Sequence, residues 1–95
     1  MNEEIKNNYC FVYVVECNDG SYYTGVSKDI NKRVKDHNSG TGAKYTKWHG
    51  PVDLVYFKKY PNRSFAMKRE YKIKKLTHKQ KKSLVDNFLS LNISK

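Results

Sequence analysis

The amino-acid sequence predicts an α+β protein in which a three-stranded antiparallel sheet is flanked by helices, in the order β-β-α-β-α-α. Three observations carry that expectation. Two runs rich in β-branched and aromatic residues are joined by Asn18-Asp19-Gly20, where Asp-Gly takes the positive φ angles of a tight hairpin turn. A third alternating run, Val52 to Tyr60, stands between segments of helical periodicity. A hairpin that comes first argues for an antiparallel sheet covered by helices.

Each element follows from its residues. Cys10 to Cys17 reads as the first strand and Ser21 to Val26 as the second. Ser27 is a candidate cap for a helix from about Lys28 to Asn38, with Ile30, Val34 and His37 spaced i, i+4, i+7 along an inner stripe. Ser39 to Pro51 has the Gly and Thr content of a loop, and Val52 to Tyr60 ends at Pro61-Asn62. Ser64 is a candidate cap for a second helix over about Phe65 to Leu76. Thr77-His-Lys-Gln80 fits a capping box opening a third, whose apolar face is Leu84, Val85, Phe88, Leu89 and Leu91. At 95 residues this makes one expected domain over 1–95, with a core at about 9–85 and polar ends.

The charge balance narrows the partners. Nineteen Lys and Arg against nine Asp and Glu give a formal charge of +10, which attracts polyanions. The high aromatic share, 14% with eight Tyr, supplies rings that fill a core while offering hydroxyls to a groove. Cys10 and Cys17 lie seven residues apart on one strand, about 23 Å at ~3.3 Å per residue, beyond disulfide reach and on opposite faces. Two unpaired thiols suit a reducing cytoplasm and imply no disulfide-linked partner. The longest apolar run, Cys10 to Val15, is too short to cross a bilayer, and no apolar signal region opens the chain.

Glu70 is the sharpest candidate for chemistry. Between Lys68 and Lys82 it is the single acid among eight Lys or Arg, and its spacing from Ala66 and Ile73 puts it on the inward stripe. A carboxylate there needs a counter-charge or a metal: either an intrahelical pair with Lys74 or a hard cation, Mg²⁺ or Mn²⁺, shared with water and a phosphate. Tyr13 and Tyr23 share the hairpin; a phenol can orient or deprotonate water, given help from a nearby cation, because its ordinary pKa is near 10. Arg33 suits bidentate contact with phosphate oxygens, and four residues on, His37 is a candidate for proton transfer or a satisfied core histidine. Lys44, Tyr45, Lys47 and Trp48 in the loop, with Lys68 and Lys72 on the second helix, are candidates for phosphate contact and base stacking.

Val12-Tyr13-Val14, then Tyr23-Thr24-Gly25 about ten residues later, then Arg33 and Glu70 together resemble the GIY-YIG nuclease family. The phrases Asp19-Gly-Ser21, His37-Asn-Ser-Gly40 and Arg69-Glu-Tyr-Lys-Ile-Lys-Lys-Leu76 resemble its small stand-alone bacterial branch. The resemblance spans roughly residues 9 to 85 and implies the same sheet flanked by helices. It also implies Mg²⁺-dependent hydrolysis of a phosphodiester through one metal held by Glu70. Tyr13 would activate water, Tyr23 would assist, Arg33 would stabilise the scissile phosphate, and His37 would be a secondary participant. Val12 stands where the first signature has Gly, and the chain leaves no room for the second domain that such enzymes usually carry.

Three functions follow for comparison. The first is a metal-dependent endonuclease acting on nucleic acid, DNA ahead of RNA, in repair or processing of structured DNA. The second is a non-catalytic nucleic-acid-binding module. The third is an interaction domain docking on a ribosome, a membrane or an acidic protein. A membrane is disfavoured because the positive residues of the second helix surround it instead of leaving a broad apolar side. The sequence leaves the oligomeric state open.

Overall fold

A computed structural model describes residues 8–39 and 50–93. The first strand, β1 (Cys10–Cys17), is central, between β2 (Tyr22–Ser27) and β3 (Val52–Tyr60), giving the order β2-β1-β3. Both pairings are antiparallel. The described helices are α1 (Ile30–Ser39), α2 (Arg63–Lys74) and α3 (His78–Ile93), so the element order is that expected.

β1 is buried almost without interruption because both of its faces are covered. Cys10, Val12 and Val14 pack with Val55 and Tyr56 of β3 against Ala66 and Ile73 of α2 and Val85 of α3. Tyr13, Val15 and Cys17 pack on the other face with Val52, Tyr23, Leu54 and Val34 of α1. Each Val that leaves water entirely contributes about 1.5–3 kcal/mol of burial. The two cysteines are buried and unpaired, one in each layer. A bulge between Val14 and Val15 inserts Val55 into the β1–β3 ladder: Val14 pairs with Tyr56 and Val15 with Leu54.

The hairpin closes as expected. Gly20 has φ +86, the left-handed conformation that glycine adopts at no steric cost, and its N–H donates to the Cys17 carbonyl at 2.9 Å. The Asp19 carboxylate accepts from both the backbone N–H and the hydroxyl of Ser21. The imidazole of His78, at the start of α3, stacks on Tyr22 and lies 3.1 Å from the Gly20 carbonyl, tying the turn to the third helix.

Two helix caps differ from expectation. Asp29, not Ser27, caps α1, accepting from Lys32 N–H at 3.0 Å; Ser27 ends β2 and exchanges bonds with the Asp29 backbone in a local turn. Asn62, not Ser64, caps α2: its backbone is extended and its side chain accepts from Phe65 N–H, so Ser64 already lies inside the helix. The capping box of α3 is present, with Gln80 N–H donating to the Thr77 hydroxyl and Thr77 N–H to the Gln80 carbonyl oxygen. No helix of the described residues is long and apolar enough to cross a membrane.

Candidate active site

Tyr13 is the hub. It occupies the middle of β1 on the α1 face, opposite Gly25 of β2, and its ring crosses that glycine. A Cβ at position 25 would lie 2.6 Å from the Tyr13 hydroxyl oxygen and 2.8 Å from Cζ, so the crossing requires a residue without a side chain. This is a close-approach glycine, set by register and not by backbone strain. Tyr23 pairs with Val15, which makes it the diagonal neighbour of Tyr13 on the same face.

α1 delivers two further groups. Arg33 and His37 are one turn apart and project toward the hairpin face. The His37 Nε2 lies 2.9 Å from the Tyr13 hydroxyl, with each side chain only 1% exposed. Tyr23 meets the His37 ring edge-on, with centroids 5.3 Å apart. The Arg33 guanidinium stands 3.9 Å from the Asp36 carboxylate and keeps 36% of its side chain in water. The end of α1 is fixed to the start of β3 by Asn38, whose Oδ1 accepts from Val52 N–H at 2.7 Å while its Nδ2 donates to the Val52 carbonyl.

α2 brings Glu70. Ala66 and Ile73 are fully buried, so Glu70 between them does sit on the inward stripe, and 19% of its side chain remains exposed. Lys74 pairs with it at 3.2 Å. Such a pair stabilises a helix by a few tenths of a kcal/mol, and the lysine is flexible enough to yield to another cation.

The Tyr13 hydroxyl is governed first by burial and then by its charged neighbours. Burial pushes its pKa above the ordinary phenol value; Arg33 opposes this by hydrogen bonding and by charge, while Tyr23 and Glu70 add to the rise. The His37 imidazole is pushed the other way, below its ordinary value, by burial first and by the Arg33 charge second, with Asp36 partly offsetting both. Tyr13 and His37 therefore meet as neutral phenol and neutral imidazole at physiological pH. Tyr13, Tyr23, Arg33 and His37 thus gather on the α1 face of the sheet, while Glu70 comes from α2 on the opposite face and reaches Tyr13 through its charge.

The remaining candidates fall elsewhere. Lys68 and Lys72 are each two positions from Glu70, about 200° around a helix of 3.6 residues per turn, and they face solvent on the far side of α2. Lys44, Tyr45, Lys47 and Trp48 lie outside the described residues. Gly25 and Asn38 went unrecognised as site-building residues; a cross-strand register would have exposed the first. Thr24, between Tyr23 and Gly25, points to the other face of the strand. Its hydroxyl is buried on the strand face that α2 covers and has no hydrogen-bond partner among the described residues.

Among the described residues no group of three or more His, Cys, Asp and Glu gathers to cage a metal. The donor set at Glu70 is a single carboxylate. That suits Mg²⁺ or Mn²⁺, which retain water and take further oxygens from a substrate phosphate, and it does not suit zinc.

Comparison with known proteins bears on the family and the fold. The family described as the GIY-YIG catalytic domain matches residues 9–83. A UPF0213 protein of Staphylococcus epidermidis is 57% identical over 75 residues, covering 79% of this chain and 92% of its relative. A Staphylococcus aureus UPF0213 protein is 56% identical over the same shares. Two solution structures resemble the fold. A UPF0213 protein from Bacillus halodurans has TM-score 0.54 and 45% identity over 82% of this chain and 83% of that one. A protein from E. faecalis has TM-score 0.57 and 43% identity over 84% and 85%.

Proposed function

Because the chain belongs to the GIY-YIG catalytic-domain family, a nuclease family, we propose that it is a metal-dependent endonuclease that hydrolyses phosphodiester bonds in structured DNA. The observation that carries this reading is the Tyr13 hydroxyl, which feels Arg33, Tyr23 and Glu70 at once and bonds to His37.

A buried phenol with a raised pKa holds its proton at neutral pH, so Tyr13 is a base only if it can pass that proton on. His37 supplies the route. In the tautomer that leaves Nε2 unprotonated, Nε2 takes the Tyr13 proton as the Tyr13 oxygen takes one from the attacking water. The water oxygen forms its bond to phosphorus, the ester P–O bond breaks, and the departing oxygen takes a proton from solvent. Arg33 binds the phosphate oxygens through its planar fork as charge builds on them. Tyr23, edge-on to His37, holds the imidazole in line. Glu70 would hold Mg²⁺ or Mn²⁺, which when bound polarises the phosphoryl oxygen and offsets leaving-group charge.

The test is a cleavage screen with Mg²⁺ and Mn²⁺ on supercoiled, branched and single-stranded DNA, wild type beside Glu70→Ala. Metal-dependent cleavage that the variant loses while keeping its circular dichroism spectrum is the expected result. A wild type inert on every substrate would overturn the reading.

A further inference from the structure

The displacement of Lys68 and Lys72 from Glu70 has a chemical counterpart on the far side of α2. There Tyr60, from the end of β3, and Phe65, Lys68, Arg69 and Lys72, from α2, line an open pocket of about 260 Å³. Two rings and three cations line it, and none of these residues is acidic. Phe65 is 51% exposed although the strand faces offer burial to other aromatics, and the Lys68 ammonium stands over its ring at 5.5 Å. At the end of the same helix the pairing is repeated: Lys75, the residue just past α2, lies over the ring of Tyr71, itself 61% exposed, at 4.4 Å.

A ring face with an ammonium beside it is what one nucleotide of an unpaired strand needs. The base stacks on the aromatic face and the phosphate lies by the cation. Duplex DNA cannot use such a pocket through its bases, which are already stacked on one another. The pocket is open and smaller than the roughly 300–1,000 Å³ of sites that enclose drug-sized ligands, so it offers a base a surface to stack on and does not engulf it. The formal charge of +10 supplies the complementarity that draws a polyanion to this face.

We propose that Tyr60, Phe65, Lys68, Arg69 and Lys72 form a binding site for a nucleotide of single-stranded DNA, separate from the cleavage site. The site rests on the nucleic-acid reading above for the class of ligand, and it deepens that reading. With Glu70 on one side of α2 and this pocket on the other, the favoured substrate carries an unpaired strand that passes around the helix while the phosphodiester to be cut lies at Tyr13.

The experiment is fluorescence anisotropy with a labelled oligothymidine, without metal, on the full chain. Phe65→Ala is expected to raise the Kd about tenfold, within the ~1–3 kcal/mol of one base–aromatic stack. Met67→Ala, at an equally exposed apolar residue outside the pocket, is expected to leave it unchanged. Lys72→Gln is expected to weaken binding and to flatten the slope of log K against log salt by about 0.7, whereas Lys82→Gln on α3 has a smaller effect on both.

Equal losses for the two lysine variants would mean that net charge alone binds the strand, and would overturn the proposal. So would a Phe65→Ala protein that binds as wild type does, an equal loss on a fully paired hairpin, or a stronger dependence with oligouridine. Thermal melting of Phe65→Ala at the wild-type temperature verifies that the exposed truncation leaves the fold intact. Loss of binding in Phe65→Ala beside an inert wild type in the cleavage screen would sink the nuclease reading alone. Cleavage without a Phe65 effect would sink this proposal alone.

Discussion

The hydroxyl of Tyr13 and Nε2 of His37 lie 2.9 Å apart across the seam between the central strand and α1, both almost wholly out of water. Burial acts on the two groups in opposite senses. It raises the phenol and lowers the imidazole, so each is held in its neutral form. In the mechanism proposed above, the phenol proton passes to the imidazole when a water attacks.

Tyr13→Phe removes the oxygen and retains the ring that fills the core. Cleavage is expected to fall at least about 10²-fold, the scale of a lost general base. Melting is expected to drop by several degrees, because losing one buried hydrogen bond costs about 1–3 kcal/mol. Single-turnover kinetics beside a thermal melt separate the two effects. Cleavage at the wild-type rate would remove Tyr13 from the chemistry.

Stability should fall on the acid side. The His37 pKa is depressed in the folded state, so the unfolded chain binds the proton more readily once pH drops below about 6.5. The stability that this neutral histidine contributes is complete above that pH and is lost as pH falls toward the folded-state value. Denaturation midpoints between pH 8 and 5 should therefore decline for wild type, and His37→Gln should flatten the decline. Parallel curves would show that other groups govern acid unfolding.

Arg33 has two separable effects. Arg33→Lys keeps the positive charge but loses the planar fork, so the rate should fall about 10²–10³-fold with the acid limb of the pH–rate profile unmoved. Arg33→Gln also removes a charge that helps to depress the His37 pKa. Its limb should move to higher pH, since a less depressed histidine must lose its proton before it can act as an acceptor. The pH dependence of kcat/KM reads both, and identical profiles for the two variants would refute the separation.

Gly25→Ala tests the crossing of strand and ring. The new methyl would lie 2.6 Å from an oxygen that His37 holds in place, so relief requires both side chains to shift. A loss of about 1–3 kcal/mol is expected, as for other overpacked cores. Adding Tyr13→Phe should not restore stability, because Cζ remains 2.8 Å away. A double-mutant cycle of urea midpoints measures this, and full rescue would show that the hydroxyl alone made the clash.

Local rules made much of this legible in the sequence. The Asp-Gly turn, the Thr77–Gln80 capping box and the opposed cysteines depend on residues near one another in the chain, and all three appear as expected. Helical phase placed Glu70 inward correctly, and the same phase puts Lys68 and Lys72 far from it. What sequence could not convey is tertiary. The choice of Asn62 over Ser64 depends on where β3 delivers the chain, and the need for Gly25 depends on which residue the register sets opposite. The His37 partner lies 24 residues away on another element.

The placement of Cys10 and Cys17 has an experimental consequence of its own. One thiol lies beneath α2 and α3 and the other beneath α1, and neither has a disulfide partner. Burial also raises the pKa of Cys17, which slows its attack on any electrophile until the layer above it lifts. A pulse of alkylating reagent followed by peptide mass analysis would thus time the opening of each layer separately. Different rates would reveal two cooperative units, one carrying Arg33 and His37 and the other Glu70, brought together only while both remain closed.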